Sequence, residues 1–155
     1  MKINKKKSQI KKVKFGKNVT IVEPVNLYGC EIRDNCFVGP FVEIQKNAII
    51  GENTRIQSHS FICENVKIGK NCFIGHGVNF TNDKFTHNRT LKGKYLSTSI
   101  EDNVLIGSGS TILPIKIEKN VTIGAGSVIT KNCVRNKIYA GNPAKILKKW
   151  ENIIL

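Results

Sequence analysis

An aliphatic residue returns every six positions along most of this chain. From Ile32 the frame runs through Val38, Ile44, Ile50, Ile56, Ile62, Ile68, Ile74 and Phe80, all large and apolar. Four places after each of the first eight sits a residue no larger than valine: Cys36, Val42, Ala48, Thr54, Ser60, Val66, Cys72 and Val78. Upstream, Phe15, Ile21 and Leu27 continue the frame, which then shortens by one residue to reach Ile32. Downstream it reads Ile100, Ile106 and Ile112, shortens again to Ile117, and continues to Ile123 and Ile129, making eighteen repeats. Neither the 3.6 period of a helix nor the simple alternation of a strand produces this pattern. A coil with one hexapeptide per flat side does. The large residue fills the interior at mid-side, and the small one sits inward beside a corner.

Three sides per turn predict an all-β fold, a parallel β-helix of about six coils spaced roughly 4.8 Å apart. The beat stops once, for the nineteen residues 81–99, of which "TNDKF" opens the run. Phe80 ends one side and Ile100 begins the next, so the insertion reads as a corner extruded from a continuous prism. A loop this long in a compact domain is usually functional or disordered. After the repeats, "AGNPAKILKKWENII" carries a helix signal: Asn142 as cap, Pro143 at the first helical position, and Ile146, Trp150 and Ile153 on one face. The expected organisation is a basic arm over 1–14, a β-helix over 15–134 and a capping tail with a short helix over 135–155.

The net charge of +14 raises the question of a polyanionic partner. Eight lysines and no acidic residue fall in the first 17 positions, which leaves an excess of only six positive charges elsewhere. That distribution points to a solvated tail and small anionic ligands, with no nucleic-acid partner. No apolar run is long enough to span a membrane or resembles a secretion signal, so no membrane partner is expected. Five cysteines without a C-x-x-C pair suit reduced thiols in a cytoplasm. Cys36 and Cys72, two coils apart, are too far from each other to pair. With Cys133 they read as small inward residues.

The hexapeptide pattern resembles the hexapeptide-repeat acyltransferases, and the resemblance covers residues 15 to about 149. It implies a left-handed β-helix, a hand opposite to the usual crossover rule. Two stretches, "CFIGHGVNFTNDKF" and "IKIEKNVTIGAGSVITKN…YAGNPAKILKKW", resemble bacterial N-acetyltransferases acting on nucleotide-linked amino sugars for O-antigen or S-layer glycans. The resemblance implies a homotrimer that binds acetyl-CoA between neighbouring prisms and needs no metal. It assigns the coenzyme groove to Gly107, Ser108, Ala125, Gly126, Lys131, Asn142, Pro143 and Lys145, with Arg135 among the cations that meet phosphate. It assigns the acceptor to His59, Glu64, Asn82, Asp83 and Lys84. The acceptor nearest the likeness is a dTDP-3-amino-3,6-dideoxyhexose, followed by a UDP-amino sugar.

Acetyl transfer from a thioester to an amine requires positioning, oxyanion stabilisation and removal of one proton. His76 is the expected base, since imidazole titrates near neutral pH. Asn82 can accept a hydrogen bond that aims the amine, and Asp83 can orient it or hold its proton. His76 and Asn82 lie one prism side apart, which predicts a site shared between subunits. Several other readings stay open. The proton can pass to sulfur or water with no protein base, the acceptor can be a hydroxyl, and the chain can be a scaffold binding polyanions through its basic arm. A β-helical zinc carbonic anhydrase would show two histidines five residues apart, and His59, His76 and His87 contain no such pair.

Overall fold

The computed structural model describes residues 9–83 and 95–147. The chain winds as a three-faced parallel β-helix. Face A has seven strands, from Ile10–Lys11 to Val128–Ile129, and face B has six, from Lys14–Phe15 to Lys116–Ile117. Face C has eight, from Thr20–Ile21 to Ile138–Gly141, closed by Ala144–Ile146. Neighbours on each face lie one coil apart in sequence, as Ile32 beside Ile50 and Ile74 beside Ile106. Backbone bonds of 2.6–3.4 Å link the coils, such as Gly51 N donating to Ile68 O and Gly75 N to Ile106 O, both at 2.8 Å.

Sixteen of the eighteen large frame residues are buried; Phe15 (44% exposed) and Ile21 belong to the open first coil. Each fully buried isoleucine contributes roughly 1.5–3 kcal/mol by leaving water. The coil closes across the insertion as expected. Asn79–Phe80 stays on face A, Thr98–Ile100 stays on face B, and Thr98–Ile100 pairs with Val66–Ile68 across the gap. Leu96 N donates to Asn82 O at 3.1 Å, closing the neck of the loop. Thr98 already belongs to a strand, so the extrusion ends before residue 98 rather than at 99.

Three expectations are corrected. Coiling begins inside the stretch read as a free arm, because Ile10–Lys11 pairs with Leu27–Tyr28. It also runs past Ile129: Cys133 lies beside Ile117 and Tyr139 beside Ile123, so Cys133 occupies a large frame position and the prism has about seven turns. The helix expected from Asn142 is replaced over 142–147 by a hairpin, in which Ala144–Ile146 pairs antiparallel with Ile138–Gly141. The last strand of face C would otherwise expose an unpaired edge, and the returning segment satisfies it. Trp150 and Ile153 lie outside the described residues.

All five cysteines are free and buried. Burial pushes the Cys30 and Cys72 thiols up to about 11, and Cys63 and Cys133 up to about 12. These raised values favour the folded state's protonated thiols over the unfolded state's at high pH. Their effect on stability is therefore absent below the ordinary thiol range and becomes a loss as pH rises from about 9 towards 12. Native protein at pH 8 should leave a chromogenic disulfide reagent unreacted over minutes, whereas all five cysteines should react in guanidinium. Rapid labelling of the native chain would contradict this packing.

Candidate active site along one edge of the prism

Most corners turn through a residue with left-handed φ, and the three edges meet this demand differently. The edge between faces B and C uses Asn18, Asn35, Asn53, Asn71, Asn103, Asn120 and Asn136, with φ of 54–58°. Their side chains form one continuous ladder, each amide donating to the next carbonyl at 2.9–3.3 Å. Asparagine suits this conformation because its short polar side chain bonds locally. The edge between faces C and A instead carries Phe41, His59, Gly77, Gly109 and Gly126 at the same position. A Cβ at Gly77, Gly109 or Gly126 would meet nothing within 4 Å. Asparagine would serve the backbone there, and no crowding within the chain forbids it. Three successive coils have been left bare, a strip about 10 Å long at the usual spacing.

His76 stands at one end of this strip, beside Gly77 and exposed. Its backbone N–H donates to Ser108 Oγ at 3.1 Å, and its Nδ1 lies 2.8 Å from Ser58 Oγ. With Nδ1–H donating to that hydroxyl, Nε2 carries the free lone pair. Gly109 N donates to His76 O and Gly126 N to Ser108 O, both at 2.8 Å, so the column is tied coil to coil. The tail reaches the same edge, with Gly141 N donating to Ser127 Oγ at 3.2 Å just before the Asn142–Pro143 turn. Gly107, Ser108, Ala125 and Gly126 therefore share the edge of His76, Asn142 and Pro143 follow Gly141 at its far end, and Lys145 lies opposite Ala140 in the returning strand. Lys131 falls on the edge between faces A and B. Arg135 falls on the asparagine-ladder edge, where its backbone N–H and Nε both reach Glu118 Oε2 at 3.1 Å. Those bonds hold the Glu118 carboxyl below its usual range. Lys131 and Arg135 thus fall on two different edges and Lys145 on a strand of face C.

The other acceptor residues collect elsewhere. At the neck of the insertion, an open groove of about 500 Å³ is lined by Gln45, Phe61, Glu64, Asn79, Asn82 and Tyr95, among others. Glu64 is paired with Lys46 at 3.4 Å. The Tyr28 phenol is raised first by burial and then by Glu43 and Glu64. Asn82 and Glu64 come together here, with Asp83 adjoining. His76 stands across the width of face A, and His59 is on the edge with His76. Lys84 and His87 lie outside the described residues. Sequence reasoning missed Ser58, although its spacing of 18 from His76 is one full coil. It also missed Tyr95, which the chain brings to the neck only by returning from the insertion.

Phe41 and His59 stack with centroids 4.8 Å apart and planes at 30°, and Phe41 is 57% exposed. A left-handed non-glycine residue costs roughly 1–2 kcal/mol. An aromatic pair returns about 0.5–1.5 kcal/mol. Stability therefore gains little or nothing from placing a phenylalanine there.

The fold and its repeats define a class, the hexapeptide-repeat β-helix. The family described as bacterial transferase hexapeptide (six repeats) matches residues 29–64, and that described as hexapeptide repeat of succinyl-transferase matches 65–78 and 97–131. Together they take in more than half of the chain, and the gap between matches falls on the insertion. The chain belongs to the hexapeptide-repeat transferases, whose fold is the left-handed parallel β-helix. No curated protein matches by sequence. Among solved structures, AntD, an N-acyltransferase from Bacillus cereus in complex with dTDP and coenzyme A, superposes with TM-score 0.78 at 20% identity, covering 89% of this chain and 85% of that one. A Vibrio cholerae hexapeptide-repeat acetyltransferase complexed with acetyl coenzyme A gives 0.67 at 22% identity, covering 77% and 70%. The Caulobacter crescentus perosamine N-acetyltransferase with CoA and GDP-perosamine gives 0.64 at 17% identity, covering 92% of this chain but 58% of its own.

Two glycine substitutions separate bare space from close packing. Gly109→Asn should leave the melting temperature within a few degrees of wild type, at a cost of about 1 kcal/mol or less. Gly107→Ala drives its methyl into the Ala125 backbone and should cost roughly 1–3 kcal/mol, read by thermal or denaturant unfolding.

Proposed function

We propose that this protein is an acetyl-CoA-dependent acetyltransferase whose acceptor is the amino group of a nucleotide-linked amino-deoxy sugar. A dTDP-3-amino-3,6-dideoxyhexose is the first choice of acceptor, and the product serves O-antigen or S-layer glycan synthesis. The observation that carries this reading is the bare strip of Gly77, Gly109 and Gly126 ending at His76. A thin pantetheine arm lies along that strip and delivers its thioester to the imidazole. The dTDP, GDP-perosamine, CoA and acetyl-CoA held by the related structures support the choice of ligands.

The amine nitrogen attacks the thioester carbonyl carbon, the C–S bond breaks, and the thiolate leaves. Nε2 of His76 takes the amine proton and returns it to the departing sulfur, while Ser58 fixes the ring through Nδ1. Asn82 aims the amine by accepting a hydrogen bond, with Glu64 and Asp83 beside it. His76 and the Asn82 groove stand at opposite margins of face A, so each site is completed in a homotrimer by the neighbouring subunit's groove. Lys131 and Arg135, on two different edges, and Lys145, on face C, likewise meet one coenzyme only with more than one subunit contributing. The free thiols suit the cytoplasm, the compartment that supplies acetyl-CoA.

Purified protein with acetyl-CoA should release thiol with a dTDP-amino sugar and less with UDP- or GDP-amino sugars. No release with any amino sugar would remove this function. His76→Ala should lower kcat by roughly a hundredfold or more. Near-normal turnover would assign the proton to sulfur or water instead. Gly109→Asn should weaken coenzyme binding while the fold persists. Co-expressing His76→Ala with Asn82→Ala should restore activity that neither variant has alone; a failure to complement would place each site within one chain.

A further inference from the structure

The edge that holds His76 changes character below it. Above His76 the left-handed positions are glycines, and one coil and two coils below Gly77 they are His59 and Phe41. His59 N donates to Pro40 O at 3.1 Å and Gly77 N to Ser58 O at 2.9 Å, so stack and strip lie on one line. Phe41 does not join the core. It stands more than half exposed, with its ring held against the imidazole of His59. Everywhere along the asparagine-ladder edge the same backbone conformation is met by an amide that bonds to its neighbour. Here a flat apolar surface is presented to solvent instead, in a conformation a bulky residue rarely adopts.

We infer that the Phe41–His59 stack seats the heterocyclic base of the nucleotide-linked acceptor. The inference rests on the acceptor class proposed above and adds where its nucleotide lies. The bare strip and the tail lie on one side of His76, so the coenzyme arrives from there and the acceptor from the other. Phe41 is roughly 10 Å below the level of His76, two coil spacings, a gap that a ribose and a diphosphate can bridge. Aromatic faces bind bases by stacking with little demand on base identity.

The test is equilibrium binding of dTDP, UDP, GDP and, separately, coenzyme A to full-length wild type, Phe41→Asn and Phe41→Trp. Phe41→Asn places the residue this fold uses at its other corners, so the chain should keep its melting temperature and its oligomeric mass. Phe41→Asn should weaken the preferred nucleoside diphosphate roughly tenfold and leave coenzyme A unchanged, while Phe41→Trp should retain binding. Loss of coenzyme A affinity alone would give the stack to adenine and overturn the inference. A changed oligomeric mass with unchanged nucleotide affinity would make Phe41 a subunit contact and overturn it equally. If wild type itself binds no nucleoside diphosphate, the acceptor class fails, and the inference with it. If wild type binds and Phe41→Asn binds as well, only the seat is wrong.

Discussion

The rest of this structure depends on coils stacking in register, each strand bonded to the strand one turn away. That register demands an inward aliphatic residue at mid-side and a backbone able to turn sharply at each corner. The first demand makes the core a column of isoleucines at nearly zero exposure. The second fixes a left-handed φ at the same place in coil after coil. Once backbone geometry is set so uniformly, side chains at the corners are free to differ, and function can be written there.

The three edges use that freedom differently. The asparagine ladder joins seven coils by a single chain of amide bonds, each satisfying a donor and an acceptor that would otherwise need water. Exposed ion pairs such as Lys116–Glu101 and Arg135–Glu118 flank it, and individually such pairs add little. Among the described residues, the edge with His76 has no ladder and no such pairs. It gives up side-chain contacts in favour of accessible surface, with the Ser58 hydroxyl on the imidazole and the Ser108 hydroxyl on the His76 backbone N–H. The remaining edge carries the neck of the insertion and its open groove.

Much of the prism was legible in the sequence because the period is set by backbone geometry, and nearly every large frame residue is buried where the beat placed it. The ends were less legible. Lysines around Ile10 hide the first strand, and the step of only four residues from Ile129 to Cys133 breaks the frame before the last turn. Asn142–Pro143 suits a helix start and a hairpin turn alike; only the unpaired edge of face C decides, and local sequence does not encode it. For the site, His76 and the small corner residues could be found by residue type. Ser58 needed the coil period, and the placing of Lys131 and Arg135 on separate edges needed three dimensions.

The rung from Asn71 to Asn103 crosses thirty-two residues of sequence yet is as short, at 3.3 Å, as the rung from Asn18 to Asn35. The prism therefore heals completely around the insertion, and its register takes no information from the loop. A lineage can lengthen, shorten or rewrite that loop without a toll on folding. Loop sequence and structural integrity can then change as separate traits on one chain.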